Sequence, residues 1–94
     1  MNESTPARIQ ALLDAAFGPA AIRVRDDSAL HAGHAGARSG GGHYHVEICA
    51  GAFAGQSMLT RHRAVYAALA PLMGSAIHAL SLATQTPEES TGLP

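Results

Sequence analysis

The spacing of apolar residues changes period several times along the chain, and each change marks an element. Ile9, Leu12, Leu13, Ala16 and Phe17 recur at helical spacing. Thr5-Pro6 before them reads as an N-cap followed by proline at the first helical position, and Gly18-Pro19 closes the helix. AIRVR, from 21 to 25, alternates with period two: Ile22 and Val24 point one way, Arg23 and Arg25 the other, as in a half-buried strand. YHVEICA repeats that alternation, with Tyr44, Val46 and Ile48 on the core face and His45, Glu47 and Cys49 opposite. GAFAG is a turn with one aromatic anchor, Phe53. Ser57 then caps a second helix whose apolar positions include Leu59, Val65, Tyr66, Leu69 and Leu72, with Pro71 bending or ending it and Gly74 as a stop. IHALSLAT reads as a third strand, and Thr86-Pro87-Glu88-Glu89 as the start of a short helical turn in a loose tail. The order is α-β-β-α-β. Its simplest packing is an α+β domain, a three-stranded sheet with both main helices on one face. The expected organisation is one domain with an ordered core over 5–86, a flexible segment over 29–42 and a loose tail over 87–94.

Composition narrows the function. At 94 residues the chain is one small domain, and its apolar mass is aliphatic rather than aromatic. Six arginines, no lysine and seven acids give a net charge of −1, which argues against a strongly electrostatic nucleic-acid binder while leaving room for a local basic patch. A single cysteine, Cys49, excludes an internal disulfide and fits a reducing compartment. No stretch has the apolar length of a membrane span, and MNESTPARIQ lacks the apolar core of a signal peptide, so a cytoplasmic protein is expected. No serine–histidine–acid set, carboxylate pair or phosphate-cradling Gly-Lys motif stands in the right context, so no catalysis is expected.

Histidine is the chemistry-bearing residue. Four of the six histidines fall within HAGHAGARSGGGHYH, 31 to 45. A zinc site made from those four alone is disfavoured: a segment rich in glycine and alanine would lose much backbone entropy in ordering four ligands. His43 and His45 also share one strand face. The segment contains a formal GxxG, Gly33 to Gly36, but it lies between strands rather than between helices. Cys49 reads as a half-buried, inert strand thiol. Arg61 and Arg63 stand about 200° apart on the second helix, so one is free to reach a carboxylate or the loop while the other faces a nucleic acid or protein partner. His62 falls towards the core stripe and reads as a satisfied, semi-buried histidine. His78 opens the third strand, where the plain reading is a strand-end histidine bonded to backbone.

From Ile9 to Glu88 the chain resembles the BolA family. The resemblance is carried by LLDAAFGP, VRDDSALHAGH, GGHYHVEI, FAGQSMLTRHRAVYAAL and IHALSLATQTPEE in that order; FxGxSxxxRHRxVY is the most specific of these blocks. It implies a class II KH-like α-β-β-α-β fold and no enzymatic activity. It further implies a partnership with a monothiol glutaredoxin and a shared 2Fe–2S cluster, in cluster trafficking or iron and redox regulation. Carried over, the cluster ligands are a histidine between the first two strands and one at the start of the last. His78 matches the second cleanly; His31, three places after Asp-Asp-Ser, matches the first best, with His34 its rival. That makes the chain a member of the loop-histidine type. Imidazole is a borderline ligand that suits iron, and two on one iron give a Rieske-like centre of raised potential. The partner would bring its cysteine and a glutathione thiolate. Phe53, Gly55, His62, Tyr66 and His43 are expected to be structural or interface positions. The alternative role is a DNA-binding regulator that uses the second helix and the turn before it, with Arg61 or Arg63 on phosphates. A homodimer through a free sheet edge is a third arrangement.

Overall fold

A computed structural model describes residues 3–28 and 41–91. Helix α1 runs Thr5–Phe17. Its N-cap is Ser4, whose side chain accepts from the Ala7 amide, so the cap lies one residue earlier than Thr5-Pro6 implies and Pro6 sits inside the first turn. Gly18, at φ 66°, ends the helix with its amide on the Asp14 carbonyl, a backbone conformation that favours glycine. Ile9 and Leu13, one turn apart, are fully buried, with Leu12 and Phe17 packed beside them; Ala16 faces solvent.

Strands β1 (Ala21–Asp26), β2 (Gly42–Cys49) and β3 (Ile77–Gln85) form one sheet in the order β1-β2-β3. β1 and β2 are antiparallel, β2 and β3 parallel, so the sheet is mixed. The register lines up Val24, Val46 and Leu82 on one face and Arg23, Glu47 and Ala83 on the other. Tyr44, Val46 and Ile48 are buried, as the alternation in YHVEICA predicts. The apolar face carries α1 and helix α2 (Met58–Ala68); neither of these main helices lies on the opposite face. The expected α+β fold, with both main helices on one face, is the observed one.

The α2 stripe differs from the expected one. Val65, Leu69 and Leu72 are buried, but Leu59 is 59% and Tyr66 40% exposed. Both lie about 100–120° around the helix from Val65. The core position one turn before Val65 belongs to Arg61, 5% exposed. α2 ends at Ala68, three residues before Pro71, because the residue preceding a proline is pushed out of helical conformation and the chain has already turned. Gly74, at φ 81°, then shapes the turn into β3.

The tail is tied down rather than loose from Pro87 to Thr91, where it forms a short helix, α3. Thr86 and Glu89 build a capping box: the Glu89 amide donates to Thr86 Oγ1 at 3.1 Å, and the Thr86 amide donates to Glu89 Oε1 at 2.8 Å.

Candidate functional site

Two polar clusters occupy opposite ends of β3. They lie at either end of a nine-residue strand, about 25 Å apart along it at the usual rise.

At the far end, Arg61 donates Nη1 and Nη2 to the two Glu89 carboxylate oxygens at 2.7 and 3.0 Å, and Nε to the Gln56 carbonyl at 3.0 Å. Its guanidinium lies 5.8 Å from the centre of the Phe53 ring, which itself meets Phe17 at 5.1 Å. Phe53 is fully buried in a 3-10 turn, Gly51–Phe53. Gly55 follows at φ 76°, in the left-handed region where other residues are strained. The Arg61 hydrogen bonds, with the Thr86 amide second, hold the Glu89 carboxyl down to about 2 from its ordinary 4.5. Arg61 is buried and bonded through Nε, Nη1 and Nη2 within the chain. The expectation that one of the two arginines reaches a carboxylate holds for Arg61; Arg63 is the exposed one.

At the near end, β3 opens on a bulge. Gly42 pairs with Ile77 and His43 with Ala79, leaving His78 as the extra residue. A bulge re-aims the side chain it carries and bends the strand. His78 is exposed, and its ring lies 5.3 Å from that of half-buried His43, inclined by 50°. The chain returning into β2 is clamped to the base of His78: the Gly42 amide donates to the Ala76 carbonyl, and a Cβ on Gly41 would stand 2.7 Å from His78 Cβ and 3.1 Å from the Ser75 carbonyl. Only glycine fits there. The chain leaving β1 ends beside His43 as well. The Asp27 amide donates to the His43 carbonyl at 2.7 Å, and the His43 amide donates to Ser28 Oγ at 3.1 Å. Both ends of the β1–β2 connection are therefore fastened next to the His43–His78 pair.

His31 and His34 lie outside the described residues. Among the described residues, no group of three or more His, Cys, Asp or Glu converges on a common point. His45 bonds Ser81 Oγ through Nδ1 at 2.7 Å, with Glu47 3.4 Å from Nε2, on the open face of the sheet. Cys49 is half-buried on that face beside Ala21 and Gln85. His62 is half-buried, but its Nε2 is sealed from solvent and unbonded among the described residues, so the expectation of a satisfied histidine is not met at that nitrogen. Tyr66 donates its hydroxyl to the Leu80 carbonyl at 3.3 Å, on the outer edge of β3. The Glu89 partner of Arg61 was missed by sequence reasoning, although T-P-E-E is a capping-box signature.

The profile of BolA-like proteins matches residues 13–89. The chain belongs to the BolA family. It is 40% identical over 86 residues to the DNA-binding transcriptional regulator BolA of Escherichia coli, covering 92% of this chain and 79% of that protein. It is 38% identical over 87 residues to SufE-like protein 1, chloroplastic/mitochondrial, of Arabidopsis thaliana, covering 87% of this chain but only 24% of that longer protein. The structure of BolA1 from Arabidopsis thaliana superposes with a TM-score of 0.80 at 33% identity, covering 95% of this chain and 98% of that one. BolA-family proteins are non-enzymatic. In this BolA-like chain no helix among the described residues is long and apolar enough to cross a membrane.

Proposed function

We propose that this chain is an adaptor that pairs with a monothiol glutaredoxin and co-ligates a 2Fe–2S cluster shared with it. His78 is the fixed ligand and His31, ahead of His34, the second. The observation that carries this reading is the exposed His78 on its bulge, with His43 beside it and no third ligand among the described residues. Among the described residues this site offers too few ligands to close a coordination shell, which suits it to completion by a partner. Chain length supports His31 over His34. Three residues link Ser28 to His31, about 10 Å fully extended, whereas His34 has about twice that tether. Ser28 is itself bonded to His43. The cluster, when bound, supplies a transferable and redox-active centre; the chain's own part is to present one rigid imidazole and one tethered one. The glutaredoxin supplies its cysteine and glutathione. A reducing, cytoplasm-like compartment suits the lone thiol.

The test is to mix the apo protein with cluster-loaded monothiol glutaredoxin and record visible absorption and circular dichroism. Wild type should change both spectra, His78→Ala should abolish the change, and His31→Ala should reduce it more than His34→Ala. Wild-type spectra from His78→Ala would overturn the ligand assignment.

A DNA-binding role, as named for the Escherichia coli relative, loses Arg61 and rests on Arg63, the exposed cation of α2.

A further inference from the structure

The two edges of the sheet are treated differently. Along β3, the Tyr66 hydroxyl takes the Leu80 carbonyl and α2 stands close by. β1 is the other terminal strand, and among the described residues nothing pairs with its outer side. The Asp27-to-His43 bond continues the antiparallel ladder, so Arg25–His45 and Arg23–Glu47 are the pairs that exchange bonds. Ile22 and Val24 then direct their N–H and C=O groups outward. Such a row is a template for another strand.

The side chains state what that strand must be. Ile22 and Val24 are only half-buried, on the core face, and an apolar neighbour would complete their burial. Arg23 and Arg25 are exposed on the open face. Arg25 is held by Asp27, while Arg23 has no ion pair among the described residues. Both arginines line a groove of about 280 Å³, and Arg23 also borders one of about 400 Å³. A second copy is the less favoured occupant. Antiparallel self-pairings centred on Arg23 or on Val24 set Arg23 opposite Arg23 or opposite Arg25, and like charges directly opposite destabilise a pair. The one centred on Ile22 sets Arg23 opposite Ala21 but runs Val24 and Arg25 past the start of the strand, against Ala20 and Pro19. Carboxylates on an added strand would meet the arginines at one strand spacing, yet stand two spacings, about 10 Å, from Glu47, near the screening length of physiological salt.

We infer that the outer edge of β1 is a docking strand for an extended partner segment that alternates acidic and apolar residues. Main-chain bonds to Ile22 and Val24 give it affinity, and carboxylates against Arg23 and Arg25 give it selectivity. This surface adjoins the His43–His78 end through Arg25 and Asp27 but does not depend on the cluster reading.

The experiment uses the full chain and a synthetic peptide, acetyl-Val-Glu-Val-Glu-Ile-Glu-Val-amide, followed by amide NMR and hydrogen exchange. The expected result is shifts centred on β1, with the Ile22 and Val24 amides protected tenfold or more. Arg23→Glu/Arg25→Glu should weaken that peptide at least tenfold and should favour the version with lysine in place of glutamate. A peptide N-methylated at alternate residues should not bind the unaltered protein, which tests the main-chain pairing without any substitution. No shifts at millimolar peptide would overturn the inference, as would equal binding of the lysine peptide by wild type. A dimer whose Ile22 and Val24 amides are already protected without peptide would also overturn it, by assigning the edge to a second copy.

Discussion

The two ends of β3 carry similar raw material, charged and aromatic polar residues at the margin of a small core, and use it in opposite ways. At the Arg61 end every strong donor is answered from within the chain: by Glu89, by the Gln56 carbonyl and by the face of Phe53. At the His78 end a bulge turns an imidazole outward and three backbone contacts fix the ground beneath it. A closed network contributes to stability, because breaking it leaves a buried charge. An open one leaves a side chain positioned and exposed, as the proposed ligand role of His78 requires. The basic residue that resembled a nucleic-acid contact is part of the scaffold, and the strand-end histidine is the available group.

Substitutions can break this contrast at either end. The largest expected effect is from Phe53→Ala, which removes the support of Arg61 and the contact with Phe17. It should cost about 3–5 kcal/mol in denaturant unfolding, as buried aromatic truncations do. Glu89→Gln comes next, lowering the thermal midpoint by several degrees at neutral pH. Its signature is in the pH dependence. The folded carboxyl sits at about 2, below its ordinary 4.5. Its contribution is therefore complete above about pH 4.5 and is lost as pH falls towards 2. The substituted protein should lack that component of acid destabilisation, seen as a flatter stability profile over that window.

Gly41→Ala tests the other end. The added Cβ must displace the base of His78, at about 1–3 kcal/mol for such overpacking, with shifts in the His43 and His78 ring resonances. His78→Ala should stay within about 0.5 kcal/mol of wild type in unfolding, as exposed positions do, while abolishing cluster capture. If it destabilised as Phe53→Ala does, the distinction between the two ends would fail. Arg63→Ala should be the quietest, near-neutral in stability; any DNA affinity it removes should fall steeply with salt, by a slope of roughly one per phosphate contact.

Much of this was legible in the residues. Period-two alternation at Ile22–Val24 and Tyr44–Val46–Ile48 placed the core face of the sheet, and the capping signals at Ser57 and Gly18 placed helix ends. The misreadings of α2 and of the tail share one cause. Leu59 and Tyr66 were assigned to the α2 core on hydrophobicity alone, but Arg61 holds the core position beside Val65 because a glutamate 28 residues away neutralises it. Pairing over that separation leaves no local pattern. The same bond explains why 87–91 is anchored rather than loose.

The sequence by itself determined the element order, the faces of the strands and the membership of the BolA family, because those follow from local periodicity and from blocks of residues in fixed order. Only the tertiary structure decided which arginine is buried, that His78 stands on a bulge beside His43, and that, among the described residues, the outer edge of β1 is unpaired while that of β3 gives one carbonyl to Tyr66. Those outcomes depend on strand register and on contacts between residues far apart in the chain, where a shift of one position exchanges one face of the sheet for the other.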